Sequence, residues 1–198
     1  MRGGPQEAAD ERLPNGRQRF RGRRQRFRGR RQRRGRPPRL DAELEHVTVF
    51  FVTDAITWEA PDGDHPARRA SRRSMAAVAA GRKDEWLALF TPDAVVQDPV
   101  GPSMLDPEGK GHHGHDGIGG FWDRNFGAVS RFHFLIRDSF ANGPCCANIA
   151  SITMWLGDSG ATMTVDCVVI YTVDDDGRIT SIRAHWEPDR AMATITGP

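Results

Sequence analysis

The spacing of apolar residues predicts helices in the first part of the compact region. Residues 67–80 (ARRASRRSMAAVAA) place apolar side chains at helical intervals and are followed by Gly81, a residue common just beyond helix C-termini. A shorter helix is predicted over 84–90. A third is predicted over 115–129, where isoleucine, phenylalanine and tryptophan recur near helical spacing.

The second part of the chain predicts four consecutive strands. Strand-like composition covers residues 131–140, 147–156, 161–173 and 179–186, and turn residues separate these runs. The turn at 174–177 (DDDG) is typical of a β-hairpin. Helices followed by consecutive strands indicate an α+β fold, with about three N-terminal helices packed on one face of a curved antiparallel sheet.

A carboxylate at the end of one further strand is the first candidate for chemistry. The run AVVQDPVG, residues 94–101, leads an apolar strand directly into Asp98, and Pro99 then stops the strand. Asp-Pro is also ordinary turn chemistry, so a simple turn cap is the alternative. A strand end next to buried neighbours favours a position at the mouth or floor of a cavity. Burial without a paired charge predicts a raised pKa for Asp98.

Charge divides the chain into a basic tail and an acidic domain. Residues 1–40 hold fifteen arginines and three acidic residues, a net charge of +12, so the remaining residues carry −10 of the overall +2. This asymmetry indicates an appended tail. The predicted organisation is a disordered Arg-rich tail over 1–40, an extension of uncertain placement over 41–61, and a compact domain over 62–198. The extension includes a strand-like run at 47–53.

The tail contains the heptad RQRFRGR twice, at residues 17–23 and 24–30, and then RQRRGRP. It has too little apolar content to form a core. Three interpretations stay open: nucleic-acid binding through arginine with Phe20 and Phe27 stacking on bases, a solvated spacer, or a start codon assigned too far upstream. The exact duplication is typical of repeat slippage, which favours the last two interpretations over nucleic-acid binding.

Cysteine usage and hydropathy predict a cytoplasmic protein without a membrane span. The three cysteines form no CxxC motif, which favours reduced thiols. No run approaches the roughly 18 apolar residues of a spanning helix, and no secretory signal is recognised. His112, His113 and His115 lie in a glycine-rich stretch without a clear fourth ligand, so no metal and no cofactor is predicted.

Several motifs, in order, resemble one known family. The segments LFTPDAVVQDPVG, GHDGIGGFWDRNF and DDDGRITSIRAHW are similar to the ketosteroid isomerase-like and SnoaL-like branch of the nuclear transport factor 2-like superfamily. The resemblance covers residues 66–189. It implies a conical barrel formed by a curved sheet and helices, a deep apolar pocket, and a homodimer through the outer sheet face. The fold hosts many chemistries, so the resemblance specifies the fold more closely than the reaction.

The resemblance also assigns roles to individual positions. Asp98 matches the general base of the family, which moves a proton beside a ketone. The family's oxyanion tyrosine falls at Ser74 and its protonated aspartate at Val169, so the usual oxyanion donors are replaced. The two tyrosines that support the oxyanion donor fall at Phe90 and Trp122. Asp166 is predicted to face away from the pocket.

Strand alternation and helix faces predict an apolar substrate pocket around Asp98. Plain core packing is the alternative for the same residues, but it leaves the carboxylate unexplained. The predicted substrate-binding residues are Ser74, Val78, Trp86, Phe90, Trp122, Phe126, Ile152, Met154, Val165, Cys167, Val169, Ile182 and Trp186.

Together with these residues, the resemblance implies a steroid Δ-isomerase-like enzyme that acts on a hydrophobic polycyclic carbonyl compound, with Asp98 as general base. A SnoaL-like cyclase or lyase in the same pocket is the first alternative. A non-enzymatic dimeric module that binds small molecules is the second. The replaced oxyanion donors favour these alternatives over a fast isomerase.

Overall fold

The structure is a computed structural model, and it describes residues 55–197. Its helices are α1 (Pro66–Ala79), α2 (Lys83–Leu87), α3 (Gly114–Asn125) and α4 (Pro188–Met192). Its strands are β1 (Ile56–Trp58), β2 (Phe90–Gln97), β3 (His112–His113), β4 (Val129–Asn142), β5 (Cys145–Leu156), β6 (Ala161–Val173) and β7 (Ile179–His185). This content confirms the predicted α+β class.

The seven strands of the described residues form one sheet in the order β1-β4-β5-β6-β7-β2-β3. The pairs are antiparallel except β1 with β4 and β2 with β7, which are parallel. The edges are β1 and β3, with three and two residues. The sheet does not close on itself, unlike the barrel that the resemblance implies, because the edge strands β1 and β3 do not pair with each other.

The longest helix, α1, has local signals at both ends. Pro66 occupies its first turn, and His65 Nδ1 accepts a hydrogen bond from the backbone N–H of Ala67 at 3.3 Å. Just beyond its end, Gly81 has φ +66°, which a glycine adopts without steric cost. The buried residues of α1 include Ser71, Ser74 and Val78, and the helix lies against β4, β5 and β6.

Two helices end earlier than the apolar spacing predicts. Helix α2 ends at Leu87 because Phe90 already belongs to β2, and the N–H of Ile179 donates to the carbonyl oxygen of Leu89 at 2.8 Å. Helix α3 ends at Asn125 because Val129 pairs with Leu156 in the sheet. In both cases strand pairing outweighs the helical pattern.

The four strands of the second part form the predicted meander, β4 to β7. One face packs against the helices, and the other faces away from them. Side chains of Phe140, Ile149 and Val168 are exposed, and the strand alternation assigns them to this outer face. A homodimer through that face stays a prediction.

The short strand β1 lies within the extension whose placement the sequence left open. It pairs with β4 at residues 134–136, and the Arg72 guanidinium lies 4.0 Å from the ring centre of Trp58. The strand-like run at 47–53 and the Arg-rich tail lie outside the described residues. Among residues 55–197, no helix has the length and hydropathy of a membrane span.

Candidate active site

A cavity of about 200 Å³ lies between the helices and the inner face of the sheet. Apolar side chains dominate its walls, and Asp98 is the one carboxylate among the lining residues. None of them is a lysine, arginine or histidine. The lining residues are Ser74, Met75, Val78, Trp86, Val96, Asp98, Leu105, Phe121, Asn125, Phe126, Phe132, Phe134, Ile136, Asn148, Ala150, Ile152, Met154, Met163, Val165, Cys167, Val169, Tyr171, Ile182, Ala184 and Trp186.

Asp98 reaches the cavity because of how β2 pairs with β7. Val96 and Gln97 pair in parallel with Ile182 and Arg183, and the N–H of Val100 donates to the carbonyl oxygen of Ala184 at 2.8 Å. The chain therefore stays beside β7 past the end of β2 and holds the carboxylate against the cavity. The predicted strand-then-carboxylate arrangement corresponds to this geometry.

A single indole group fixes the carboxylate. Trp186 follows β7, and its Nε1–H donates to Oδ1 of Asp98 at 2.6 Å. A charge-assisted hydrogen bond of this length holds both side chains in one orientation. Trp186 therefore acts as a wall of the cavity and as the donor that orients the carboxylate.

Burial raises the pKa of Asp98 from 3.8 to about 6, and the Trp186 hydrogen bond opposes this rise. The side chain is partly accessible through the cavity it lines, but its apolar surroundings solvate the charged form poorly. At neutral pH the group is mainly ionised and is a stronger base than an exposed aspartate. This is the protonation behaviour that a general base needs.

A second set of polar groups lies in the same cavity. Trp86 Nε1–H donates to Ser74 Oγ at 2.9 Å, and the Ser74 side chain contacts the phenol of Tyr171. Asn148 Nδ2 donates to Ser71 Oγ at 3.2 Å, while its Oδ1 is buried and has no hydrogen-bond partner among the described residues. Most of the polar lining therefore gathers around Ser74, Tyr171 and Asn148, separately from Asp98.

The structure brings most of the predicted substrate-binding residues to one surface. Eleven of the thirteen line the cavity: Ser74, Val78, Trp86, Phe126, Ile152, Met154, Val165, Cys167, Val169, Ile182 and Trp186. Phe90 and Trp122 do not. They pack behind the wall against Trp86, with ring centres 4.8 and 5.2 Å away. Phe90 begins a strand, so its ring faces differently from the helical position predicted for it.

Other residues that line the cavity are not among those predicted from the sequence. Phe132, Phe134 and Ile136 on β4 alternate in the way that predicts an inward face, so the pattern held a signal for them. Asn148 had the same signal, because it lies two residues before Ala150 on β5, but its polar side chain is untypical of an apolar wall. The predicted outward direction of Asp166 agrees with its contacts to Arg137 and Arg190.

The histidine-rich loop lies away from this geometry. His112 and His113 form β3, and His112 packs on the ring of Phe121 with centres 4.8 Å apart. His115 Nε2 lies 3.3 Å from the carbonyl oxygen of Phe90. Residues 55–197 contain no group of three or more histidine, cysteine or acidic side chains placed to hold a metal ion.

Fold and site together define a class of protein: an α+β domain whose helices and sheet enclose an apolar cavity with one buried carboxylate. The chain matches the SnoaL-like domain over residues 71–182 and belongs to that family. It is 31% identical over 127 residues to the Steroid Delta-isomerase of Nocardioides simplex, an alignment that spans 64% of this chain and 94% of that protein. The resemblance predicted from the motifs is confirmed.

Solved structures lead to the same family. RV0760c from Mycobacterium tuberculosis is 30% identical, with a TM-score of 0.61 over 70% of this chain and 100% of that chain. It has also been solved in complex with estradiol-17beta-hemisuccinate. The Δ5-3-ketosteroid isomerase from Mycobacterium sp. is 31% identical, with a TM-score of 0.60 over 68% of this chain and 100% of that chain.

Proposed function

We propose that this protein is a steroid Δ-isomerase-like enzyme that moves a proton beside a carbonyl group of a hydrophobic polycyclic substrate. Asp98 is the general base. The observation that carries the proposal is a carboxylate with a raised pKa in an apolar cavity, oriented by the indole N–H of Trp186. Similarity to the Steroid Delta-isomerase of Nocardioides simplex supports the reaction class.

The proposed reaction uses both protonation states of Asp98. The ionised carboxylate takes a proton from the carbon next to the ketone, and the electron pair of that C–H bond moves into a conjugated enolate. Asp98 is then a neutral acid, the form that its apolar surroundings favour. It returns the same proton to a carbon further along the conjugated system, so the reaction requires neither water nor a redox partner.

The apolar lining of the cavity suits a hydrophobic ring system. Its volume of about 200 Å³ is smaller than that of a typical ligand site, roughly 300–1,000 Å³. Three methionines, Met75, Met154 and Met163, belong to its wall. Because methionine is unbranched and flexible, these side chains can repack around a bulky ligand. A steroid 3-ketone is the leading substrate, in keeping with the steroid-related names of the similar proteins.

A direct assay tests the proposal. Purified protein should convert a Δ5-3-ketosteroid into its conjugated isomer, which is measured as growth of enone absorbance. Asp98→Asn should lower kcat by about 100- to 10,000-fold, because it removes the base. Asp93→Asn is the matched control, since Asp93 is exposed on the same strand and its loss should leave the rate unchanged. Folded wild-type protein that produces no enone would contradict the isomerase proposal.

A SnoaL-like cyclase or lyase in the same cavity, or a dimeric module that binds small molecules without catalysis, is the second proposal. Ser74 and Val169 favour it, because they replace the oxyanion donors of the isomerase family. A ligand screen by thermal shift separates these cases. Ligands whose stabilising effect differs between wild type and Asp98→Asn favour chemistry at Asp98. Equal shifts in both proteins favour a binding module.

A further inference from the structure

The polar part of the cavity has a defined position relative to Asp98. Tyr171 on β6 pairs with Ile182 on β7, which pairs with Val96 on β2, two residues before Asp98. Tyr171 and Asp98 are thus separated by two strand spacings across the sheet, about 9–10 Å, and by two residues along it, about 6–7 Å. Both side chains line the cavity. One fused-ring carbonyl compound can therefore reach both groups.

One hydrogen bond behind Tyr171 has a fixed direction. An indole N–H can only donate, so Trp86 fixes Ser74 Oγ as an acceptor at 2.9 Å. The hydroxyl hydrogen of Ser74 is then available to the phenol oxygen of Tyr171, which the serine side chain contacts. The tyrosine hydroxyl hydrogen remains for a group inside the cavity. Donation of the Ser74 hydroxyl hydrogen to the phenol oxygen would make the phenol a stronger donor, because each bond in such a chain polarises the next.

We infer that Tyr171 donates the hydrogen bond that holds the substrate's carbonyl oxygen while negative charge develops on it, with Ser74 and Trp86 as positioning residues. The inference rests on the proposed isomerase function and supplies the donor that the replacements at Ser74 and Val169 leave open. Asp98 receives the proton from carbon, the electron pair shifts towards the oxygen, and Tyr171 keeps its own proton throughout.

The environment of Tyr171 suits a donor that stays neutral. Its side chain is 6% exposed, and burial, together with the charge of Asp98, raises its pKa. A phenol in this setting does not ionise near neutral pH, so its O–H remains available. Asn148 adds a second polar group to the wall of the same part of the cavity.

Kinetics provide the first test. Tyr171→Phe keeps the ring and removes the hydroxyl, and it should lower kcat for a Δ5-3-ketosteroid by about 100- to 1,000-fold with little change in KM. Thr172→Val is the matched control, because it removes one hydroxyl from the adjacent residue on the opposite face of β6. Equal rates for Tyr171→Phe and Thr172→Val would overturn the inference.

Ligand binding provides a second test that needs no turnover. Estradiol is a suitable probe because its phenol resembles the planar, oxygen-charged intermediate. Its Kd should rise about tenfold or more in Tyr171→Phe and stay unchanged in Thr172→Val. The chain has one tyrosine, so protein labelled with 13Cζ-tyrosine gives a single resonance that reports on Tyr171 in the wild type itself. That resonance should shift when estradiol binds, and less so in Ser74→Ala.

The two tests separate the inference from the function it rests on. If wild-type protein forms no enone but Tyr171→Phe weakens estradiol binding and the tyrosine resonance shifts, the isomerase proposal fails and the donor role stands. A second outcome is that wild-type protein forms enone, the tyrosine resonance does not shift with estradiol, and Tyr171→Phe retains the full rate. In that case the isomerase proposal is supported and the donor inference fails. A tyrosine resonance unmoved by estradiol in a protein that also forms no enone overturns both.

Discussion

Asp98 at the cavity face and Asp166 on the outer face of the same sheet have carboxyl groups whose pKa values shift in opposite directions. Burial raises the pKa of Asp98 to about 6. Hydrogen bonding from Ser151, with Arg137 and Arg190 nearby, lowers the pKa of Asp166. The two guanidinium groups approach Asp166 at 3.1 and 3.2 Å. The same type of side chain thus holds its proton more readily on one face and less readily on the other.

The number of hydrogen-bond donors and cations around each carboxylate accounts for the difference between the two pKa values. Within residues 55–197, Asp98 has one indole N–H as its side-chain donor, and no lysine or arginine lines its cavity. Asp166 has a hydroxyl and two cations, and it is accessible to water on the outer face. A carboxylate satisfied by several donors has little tendency to take a proton from carbon. The apolar wall around Asp98 leaves the carboxylate with few partners, as the proposed role of general base requires.

The largest predicted effect comes from placing a second carboxylate on the cavity face. Cys167 is 7% exposed, and burial, with the charge of Asp98, raises its pKa to about 12. Cys167→Asp should lower the free energy of unfolding by about 3–5 kcal/mol at pH 8, because it buries an unpaired charge near another. Urea unfolding measures this, with Cys167→Ser as the control. Equal stabilities of the two variants at pH 8 would mean that the cavity tolerates charge.

The next effect concerns stability as a function of pH. Folded Asp98 holds its proton to a higher pH than the unfolded chain does. Its contribution to stability is full below about pH 4 and is lost as the pH rises through about 6. At pH 8, Asp98→Asn should raise the free energy of unfolding by about 1–3 kcal/mol, a gain that disappears below pH 4. Urea titrations between pH 4 and 8 measure it.

Asp166→Asn should give the opposite sign and a smaller size. The lowered pKa of Asp166 adds stability above the pKa of the unfolded chain, and this contribution is lost as the pH falls. Because the residue is exposed to solvent, the substitution should cost less than about 1 kcal/mol at pH 8. If both asparagine variants changed stability in the same direction, the contrast between the two faces would be wrong.

The sequence predicted the cavity face better than its polar contents. Strand alternation places Val165, Cys167 and Val169 inward, because successive side chains of a strand point to opposite faces whichever strands lie beside it. Asp98 was identifiable because burying a carboxylate at the end of an apolar strand costs free energy, which a purely structural role does not explain. Asn148 was harder to identify, because its alternation with Ala150 predicts an inward side chain but a buried amide is costly until its partner Ser71 on α1 is known.

Non-local pairing accounts for the remaining differences in the fold. Phe90 fits a helix face and a strand start equally well by its apolar character, and its pairing with Ile179 decides between them. The parallel attachment of β1 to β4 joins segments about 75 residues apart, which local patterns do not report. Helix α4 has five residues, too few for a periodic signal.

The smallest predicted effect tests the one donor that Asp98 has. Trp186→Phe keeps an aromatic wall but removes the N–H whose hydrogen bond lowers the pKa of Asp98, so this pKa should rise. The isomerase rate should then fall by about five- to tenfold at pH 6 and much less at pH 9, where the carboxylate is ionised in both proteins.

Titration of the Asp98 carboxyl carbon by NMR measures the pKa of this group without relying on turnover. Trp155→Phe is the control, because Trp155 lies on β5 under the guanidinium of Arg131, with 3.5 Å to the ring centre, and does not line the cavity. If the pKa of Asp98 stayed the same in Trp186→Phe, the indole would line the cavity without affecting the acidity of the carboxyl group. The contrast with Asp166 would then depend on burial alone, because the single donor would contribute nothing to it.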